Sequence, residues 1–329
     1  MIILRLWVVT VCFAAVALAR SWVIDIPVRD PGGAFFVTRV GLSLGLFAVF
    51  ATVEAAIRTP RGERSARSLW HTFRRRWPAR RLGVAWACLL AYHLVYVTYH
   101  NLKSWDVLNA PRDHALTRVD MWLFLGHSPA VLLHDLLGQG IAAHALLLVY
   151  EAFPTLMVLV VAGSVFTPRL HDGITVLASL MFAWILGTAS YYAVPSLGPF
   201  HDRPQDFAGL PETLATRTQA EYMAQRAHLL AHPHAADAFA QVSAFASLHV
   251  GITTVIMLMA GRLGFARTAR ALQVFLALTC VATIYLGWHY VVDDIAGLAL
   301  GWAAVWLGTR WVGPRDMADR ADASLARAA

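Results

Sequence analysis

Eight stretches of this chain are apolar over roughly the length a helix needs to cross a bilayer: 2–19, 34–57, 83–100, 141–166, 173–194, 247–265, 271–288 and 291–311. A hydrocarbon core of about 30 Å takes about 20 residues of helix. No other feature restricts the fold of these 329 residues as strongly. Composition agrees, with 58% of residues hydrophobic and 14% charged, against roughly 45–50% and about 25% in soluble domains. The excess apolar surface has no soluble core to enter. A single soluble domain is therefore excluded, as are collagen, coiled-coil and disordered classes. The expectation is an all-α, polytopic membrane protein with about eight transmembrane helices. The first run carries Arg5 and ends Ala17-Leu18-Ala19, imitating a signal-peptide cleavage site. It is long for a signal and reads as a retained anchor.

Loop charge orients these spans. The loop 58–82 holds nine arginines against Glu63 alone, which marks it as cytoplasmic. Counting spans from there puts Arg169, the group Arg262, Arg267 and Arg270, and Arg315 on the same side, with both termini inside. The net charge of +7 is almost wholly arginine, and Lys103 is the only lysine. Because this charge lies in loops between apolar runs, the partner it implies is anionic lipid and not nucleic acid. The arginine and alanine bias points to a bacterial inner membrane. Trp22, Trp105, Trp122, Trp288 and Trp311 lie near span ends, as an interfacial belt would. Cys12, Cys88 and Cys280 are dispersed in apolar runs and form neither a disulfide framework nor a zinc site. Two outer segments are long. Residues 101–140 contain Asp113, Asp120 and a weakly amphipathic run from Leu116 to Leu125, expected as a helix on the interface. Residues 195–246, rich in proline and polar groups, read as a functional loop. The polar tail 313–329 is expected to be a disordered cytoplasmic segment.

The chemistry concentrates in Ser247-Leu248-His249 and His289-Tyr290-Val291-Val292-Asp293. His289 and Asp293 are four apart, the spacing that puts two side chains on one helix face. A carboxylate there fixes the imidazole tautomer and frees the other nitrogen as a nucleophile. His249 and His289 are 40 residues apart, equal to two spans and a tight turn, so both return to one membrane face. Pro195 to Phe200 reaches that face as well. Any one of these residues alone has a structural role as its simpler explanation. Three at matching depth point to function.

These residues carry a resemblance. Ala246-Ser247-Leu248-His249 and Tyr285-Leu286-Gly287-Trp288-His289-Tyr290-Val291-Val292-Asp293-Asp294-Ile295-Ala296-Gly297 resemble the second and third motifs of the type 2 phosphatidic acid phosphatase superfamily. The branch they most resemble is the inositol phosphorylceramide synthase-like one, whose second motif reads Pro-Ser-Leu-His. Tyr191-Tyr192-Ala193-Val194-Pro195-Ser196-Leu197-Gly198-Pro199 is similar to that branch's first motif. The resemblance implies a six-helix catalytic core over 83–312, preceded by two helices and the basic loop in 1–82. It also implies a His-His-Asp triad. His289 would attack phosphorus to give a phosphohistidine, Asp293 would orient it, and His249 would protonate the leaving oxygen and then act as base. Substrate contacts would come from Ser247, Arg203, Tyr192, Pro195 and Gly198. The scheme uses no metal and no cofactor.

The departures bear on substrate. The phosphatase branch has Ser-Arg-x5-His-x3-Asp and Lys-x6-Arg-Pro, whereas here Ala282 and Thr283 precede the histidine and Ser196 takes the lysine position ahead of Arg203-Pro204. Ala246 replaces proline. Fewer cations suit a phosphodiester, which tilts the expectation toward transfer of a phospho-headgroup or phosphoryl group from a phospholipid at the outer face. A lipid phosphate phosphatase acting on phosphatidate or a polyprenyl diphosphate is the alternative within the class, and a proton-coupled transporter the alternative outside it. Lesser signals have competing explanations. Arg203 is equally a solvated loop residue, Glu151 equally a buried structural acid, and Asp294 lies off the His289 face. His228, His232 and His234 read as a solvated loop more readily than as metal ligands, and His93 and His144 as core histidines.

Overall fold

The computed structural model describes residues 2–314, and over these the chain is helical, with no strand. The helices are α1 (Ile2–Ile24), α2 (Val37–Arg58), α3 (Ala66–Arg76), α4 (Ala79–Asp106), α5 (Asp113–Leu123), α6 (Pro129–Leu137), α7 (Ile141–Ser164), α8 (Leu170–Ala193), α9 (Pro199–Asp202), α10 (Leu214–Ala231), α11 (Leu248–Arg262), α12 (Ala266–Tyr285) and α13 (Val291–Val312). Seven of them, α1, α2, α4, α7, α8, α12 and α13, are long and apolar enough to cross a membrane. The protein is thus an integral, multi-pass membrane protein. The sixth expected span is shorter than its apolar run, because Ser247 caps α11 and the helix ends after 15 residues at Arg262. At about 1.5 Å per residue it covers some 22 Å.

Elsewhere the structure adds helices. The interfacial helix α5 begins three residues earlier than the amphipathic run, and α6 follows it. The long segment 195–246 is not an open loop: between its prolines, Thr213 caps the 18-residue α10. The expected disordered tail lies, from residue 315 onward and including Arg315, outside the described residues. The tryptophan belt is only partly formed. Trp22 and Trp122 are exposed, whereas Trp105 and Trp288 are buried and belong to the packed interior.

Helix α8 runs through the centre, packing on α4, α11 and α13; α1 lies on α4, and α2 lies against α7 and α4. Helices α11 and α13 cross where a Cβ on Gly297 would collide with the Ser247 carbonyl oxygen. Small residues at such a crossing let two backbones approach closely. This contact sets the first turns of α11 and α13 side by side.

The arginines of the 58–82 segment gather at the other end. Arg76 pairs with Glu54 at 2.8 Å, and Arg76 and Arg81 donate to the Thr167 carbonyl beyond the end of α7. Arg5 donates to the Trp311 carbonyl near the end of α13. The basic end thus also satisfies carbonyls that helix C-termini leave open.

Candidate active site

The site is built from the two turns that precede α11 and α13. Gly287, at φ +77°, ends α12, and the N–H groups of Trp288 and His289 fold back onto the Thr283 carbonyl at 2.9 and 3.2 Å. Tyr290 then caps α13, and Asp293, in its first turn, accepts the Tyr290 N–H at 3.0 Å through Oδ2. The same oxygen meets His289 Nδ1 at 3.3 Å. The pairing inferred from i,i+4 spacing is therefore present, but not on one helix face. His289 stands one residue ahead of the cap, and the cap geometry turns it back toward Asp293. Asp293 is fully buried, and its Oδ1 has no partner. Its backbone carbonyl accepts the Ser247 N–H at 3.0 Å, which ties α11 to α13. One residue past the start of α11, the His249 ring centroid lies 6.2 Å from that of His289. His249 stacks on Tyr150 at 4.3 Å and leans on Phe153 at 4.4 Å. Burial, reinforced by the Lys103 ammonium, pushes the His289 imidazole down to about 3, so its ring is neutral at ordinary pH.

Helix α5 braces the turn before α13 and the turn that follows α8. Asp113 accepts the N–H groups of Leu197 and Gly198 at 3.0 and 2.8 Å and the Tyr290 hydroxyl at 3.2 Å. Asp120 accepts the Val291 and Val292 N–H groups at 2.8 and 3.2 Å. Between them Thr117 donates to Asp202 at 2.5 Å. These three residues share one face, at spacings of four and three. Burial lifts both carboxyls above the usual range, and the backbone N–H groups oppose that rise. Sequence reasoning placed Asp113 and Asp120 on an interfacial helix and missed this role. The readable signal was the acid–threonine–acid stripe.

In front of His249 and His289 lies a cavity of about 250 Å³ between α2, α4, α7 and α8. Phe153, Met157, Val158 and Val161 of α7 form an apolar wall; Arg39 of α2 and His93, His100 and Lys103 of α4 form a polar one. No aspartate or glutamate lines it. Arg39 and Lys103 were not among the expected site residues. The signal for Lys103 was its being the only lysine, set at the end of a span.

Of the expected substrate contacts, none lines this cavity. Ser247 is fully buried as the cap of α11, its Oγ accepting the Val250 N–H. Tyr192 turns away and donates to the Leu102 carbonyl at 2.9 Å, while its neighbour Tyr191 lines the cavity. Pro195 accepts the Arg112 N–H at 2.7 Å, and Gly198, at φ +110°, packs where a Cβ would come within 2.7 Å of the Trp288 carbonyl. Both shape the turn that Asp113 holds. Arg203 is engaged by Asp206 through two bonds of 2.7 and 3.1 Å, beside a pocket of about 20 Å³ on the other side of His289. Thr283, at the arginine position of the phosphatase motif, is buried and donates to Asp294 at 2.9 Å. Among the described residues no three His, Cys, Asp or Glu side chains are placed to hold a metal, and His228 faces Asp237 at 3.0 Å. His93 bonds to Ser43 at 2.9 Å, and His144 is exposed. Glu151 is half-buried and outside the cavity.

The sequence profile of the PAP2 superfamily matches residues 114–307, more than half of the chain, and the chain belongs to that superfamily. Its chemistry is of the phosphatase and phosphotransferase type. No curated protein matches the chain, and no solved structure does.

Proposed function

We propose that this protein transfers phosphorus between lipid-linked groups through a covalent intermediate on His289. The observation that carries this reading is the buried His289–Asp293 pair, 3.3 Å apart, facing with His249 a cavity walled by membrane helices. Asp293 engages Nδ1, leaving Nε2 as the attacking nitrogen. As the N–P bond forms, the P–O bond to the leaving group breaks, and the leaving oxygen takes its electron pair and a proton from His249. The imidazole gains positive charge opposite Asp293. In the second half-reaction an acceptor hydroxyl attacks phosphorus, His249 takes its proton and the P–N bond breaks. By the positive-inside rule the arginine-rich end is cytoplasmic, so the site faces outward, in a bacterial inner membrane. A transporter would need titratable groups strung through the bundle; here His249, His289 and Asp293 gather at one end.

The Ser-Leu-His motif at 247–249 supports the inositol phosphorylceramide synthase-like branch, and with it headgroup transfer from a phospholipid to a lipid hydroxyl. Hydrolysis of a phosphomonoester or diphosphate is the second reading. It is favoured by Lys103 and Arg39 in the cavity wall, because the case for a diester rested on a shortage of cations at positions 196 and 283. The test is purified protein incubated with labelled phosphatidate, and separately with labelled phospholipid plus diacylglycerol, with products resolved by mass. Lipid-to-lipid transfer that vanishes in His289→Ala supports the first reading. Free phosphate from phosphatidate, with no transfer from any diester, supports the second. Turnover undiminished in a well-folded His289→Ala refutes the mechanism.

A further inference from the structure

The cavity wall opposite α7 holds more charge than the triad uses. Arg39 and Lys103 both face the cavity, and neither has an ion pair among the described residues. Each lies over an aromatic face, Arg39 over Tyr96 at 5.5 Å and Lys103 over Tyr191 at 5.8 Å, and Lys103 also feels the Asp106 carboxylate, which lies outside the cavity lining. Both act electrostatically on His100, and Lys103 acts as well on His249 and His289. His100 is 9% exposed and stacked on Phe35 at 3.9 Å, and both its ring nitrogens are buried without a hydrogen-bond partner. A buried polar atom left unpaired is costly, so such an imidazole in a cavity wall calls for a ligand that can bond to it. Two unpaired cations and no carboxylate make that ligand an anion.

We infer that Arg39, His100 and Lys103 form an anion subsite that holds the charged phosphate portion of the substrate beside His289. Helix α2 and the outer end of α4, which lie ahead of the matched segment 114–307, then supply the charge that the phosphatase motif draws from the lysine and arginine positions occupied here by Ser196 and Thr283. Lys103, whose charge acts on both His249 and His289, meets the transferred phosphorus group. Arg39, farther along the wall, meets a second anionic oxygen or phosphate of the same ligand. The apolar side chains of α7 across the cavity receive the adjoining hydrocarbon. This assignment rests on the His289 reading for which group reacts, but not for anion binding itself.

The experiment measures binding to purified full-length protein in detergent by thermal shift and calorimetry. Four probes are used: inorganic phosphate, pyrophosphate, dioctanoyl phosphatidate and uncharged dioctanoylglycerol. Wild type should bind the three anions more tightly than dioctanoylglycerol. A preference for the phosphatidate over inorganic phosphate would identify the anion as a lipid headgroup; equal binding would identify it as free phosphate held by the same groups. Lys103→Met and Arg39→Gln should each weaken anion binding by roughly tenfold to a hundredfold, the loss of one charge-assisted bond, and leave dioctanoylglycerol binding unchanged. Lys103→Arg should restore most of it, which separates lost charge from lost folding. His289→Ala should keep anion binding while losing turnover. Unchanged anion affinity in folded Lys103→Met and Arg39→Gln overturns the subsite. If His289→Ala stays active while those two variants lose anion binding, the covalent mechanism falls and the subsite stands.

Discussion

Replacing Asp293 by asparagine separates its charge from its role as a cap. Oδ2 accepts both the Tyr290 N–H and His289 Nδ1, while Oδ1 has no partner. Asparagine can keep its amide oxygen in the Oδ2 position, accepting both the Tyr290 N–H and the His289 Nδ1–H, with its amide nitrogen in place of the unpartnered Oδ1, so both bonds and the turn survive. What disappears is the negative charge 3.3 Å from a ring that becomes cationic as the N–P bond forms. Two full charges at that distance interact by about 5 kcal/mol at an effective dielectric of about 20. A half-developed charge in the transition state is then stabilised by about 2–3 kcal/mol, equivalent to a rate loss of roughly 30- to 150-fold. The assay is initial-rate turnover of a labelled lipid phosphate in detergent micelles, with the melting temperature followed alongside. Asp293→Asn should slow turnover by that factor with little change in melting. Asp293→Ala, which also strips the cap, should lower both. An Asp293→Asn protein within threefold of wild type would show that Asp293 contributes no charge to the reaction. Equal losses of rate and stability in both variants would reduce it to a cap.

Three other outcomes are expected. Because the His289 imidazole is held near 3 by burial and Lys103, the acid limb of kcat/KM from this residue should fall below pH 5 and not at the ordinary histidine value of about 6.5. An acid break near 6.5 traced to this ring would contradict its burial. By the same linkage, the unfolded chain binds the proton first. The stability tied to this group is complete above about pH 6.5 and declines as the pH drops toward 3, measurable as melting temperature against pH. Asp120→Ala removes the acceptor of two backbone bonds of 2.8 and 3.2 Å, and should cost about 2–4 kcal/mol of stability together with much of the turnover; urea titration in detergent beside the rate assay checks both, and Asp120→Asn should recover part. In a cysteine-free background, single cysteines at the exposed positions Gln205 and Ala236 should react with an impermeant thiol reagent on intact cells, and one at exposed Ser65 only after lysis; the reverse pattern would put the site on the inner leaflet.

The amount of this protein that can be read along the chain follows from which interactions are local. Apolar runs mark where the membrane helices lie, because bilayer thickness acts on each segment separately, and loop charge is the basis for their proposed sense. The histidine and aspartate spacings brought His249, His289 and Asp293 to one end, since each depends only on residues a turn or two spans away. Ser247 and Gly198 were expected near the site as substrate contacts, and the structure gives each a part in the backbone around it. Capping α11, and giving Asp113 a backbone N–H to hold, are matters of which way a group points, and spacing does not state that. The stripe of Asp113, Thr117 and Asp120 could be seen on its helix, but its partners lie 84 to 177 residues away. Only the packing of α5 against α9 and the start of α13 decided them. The cavity wall is the clearest division. Lys103 stood out as the lone lysine and Arg39 as one arginine among many, yet only the lateral packing of α2 and α4 against α7 and α8 turns both toward His289. Lateral packing depends on side-chain fit between helices far apart in the chain, and on the cost of leaving a charge in hydrocarbon.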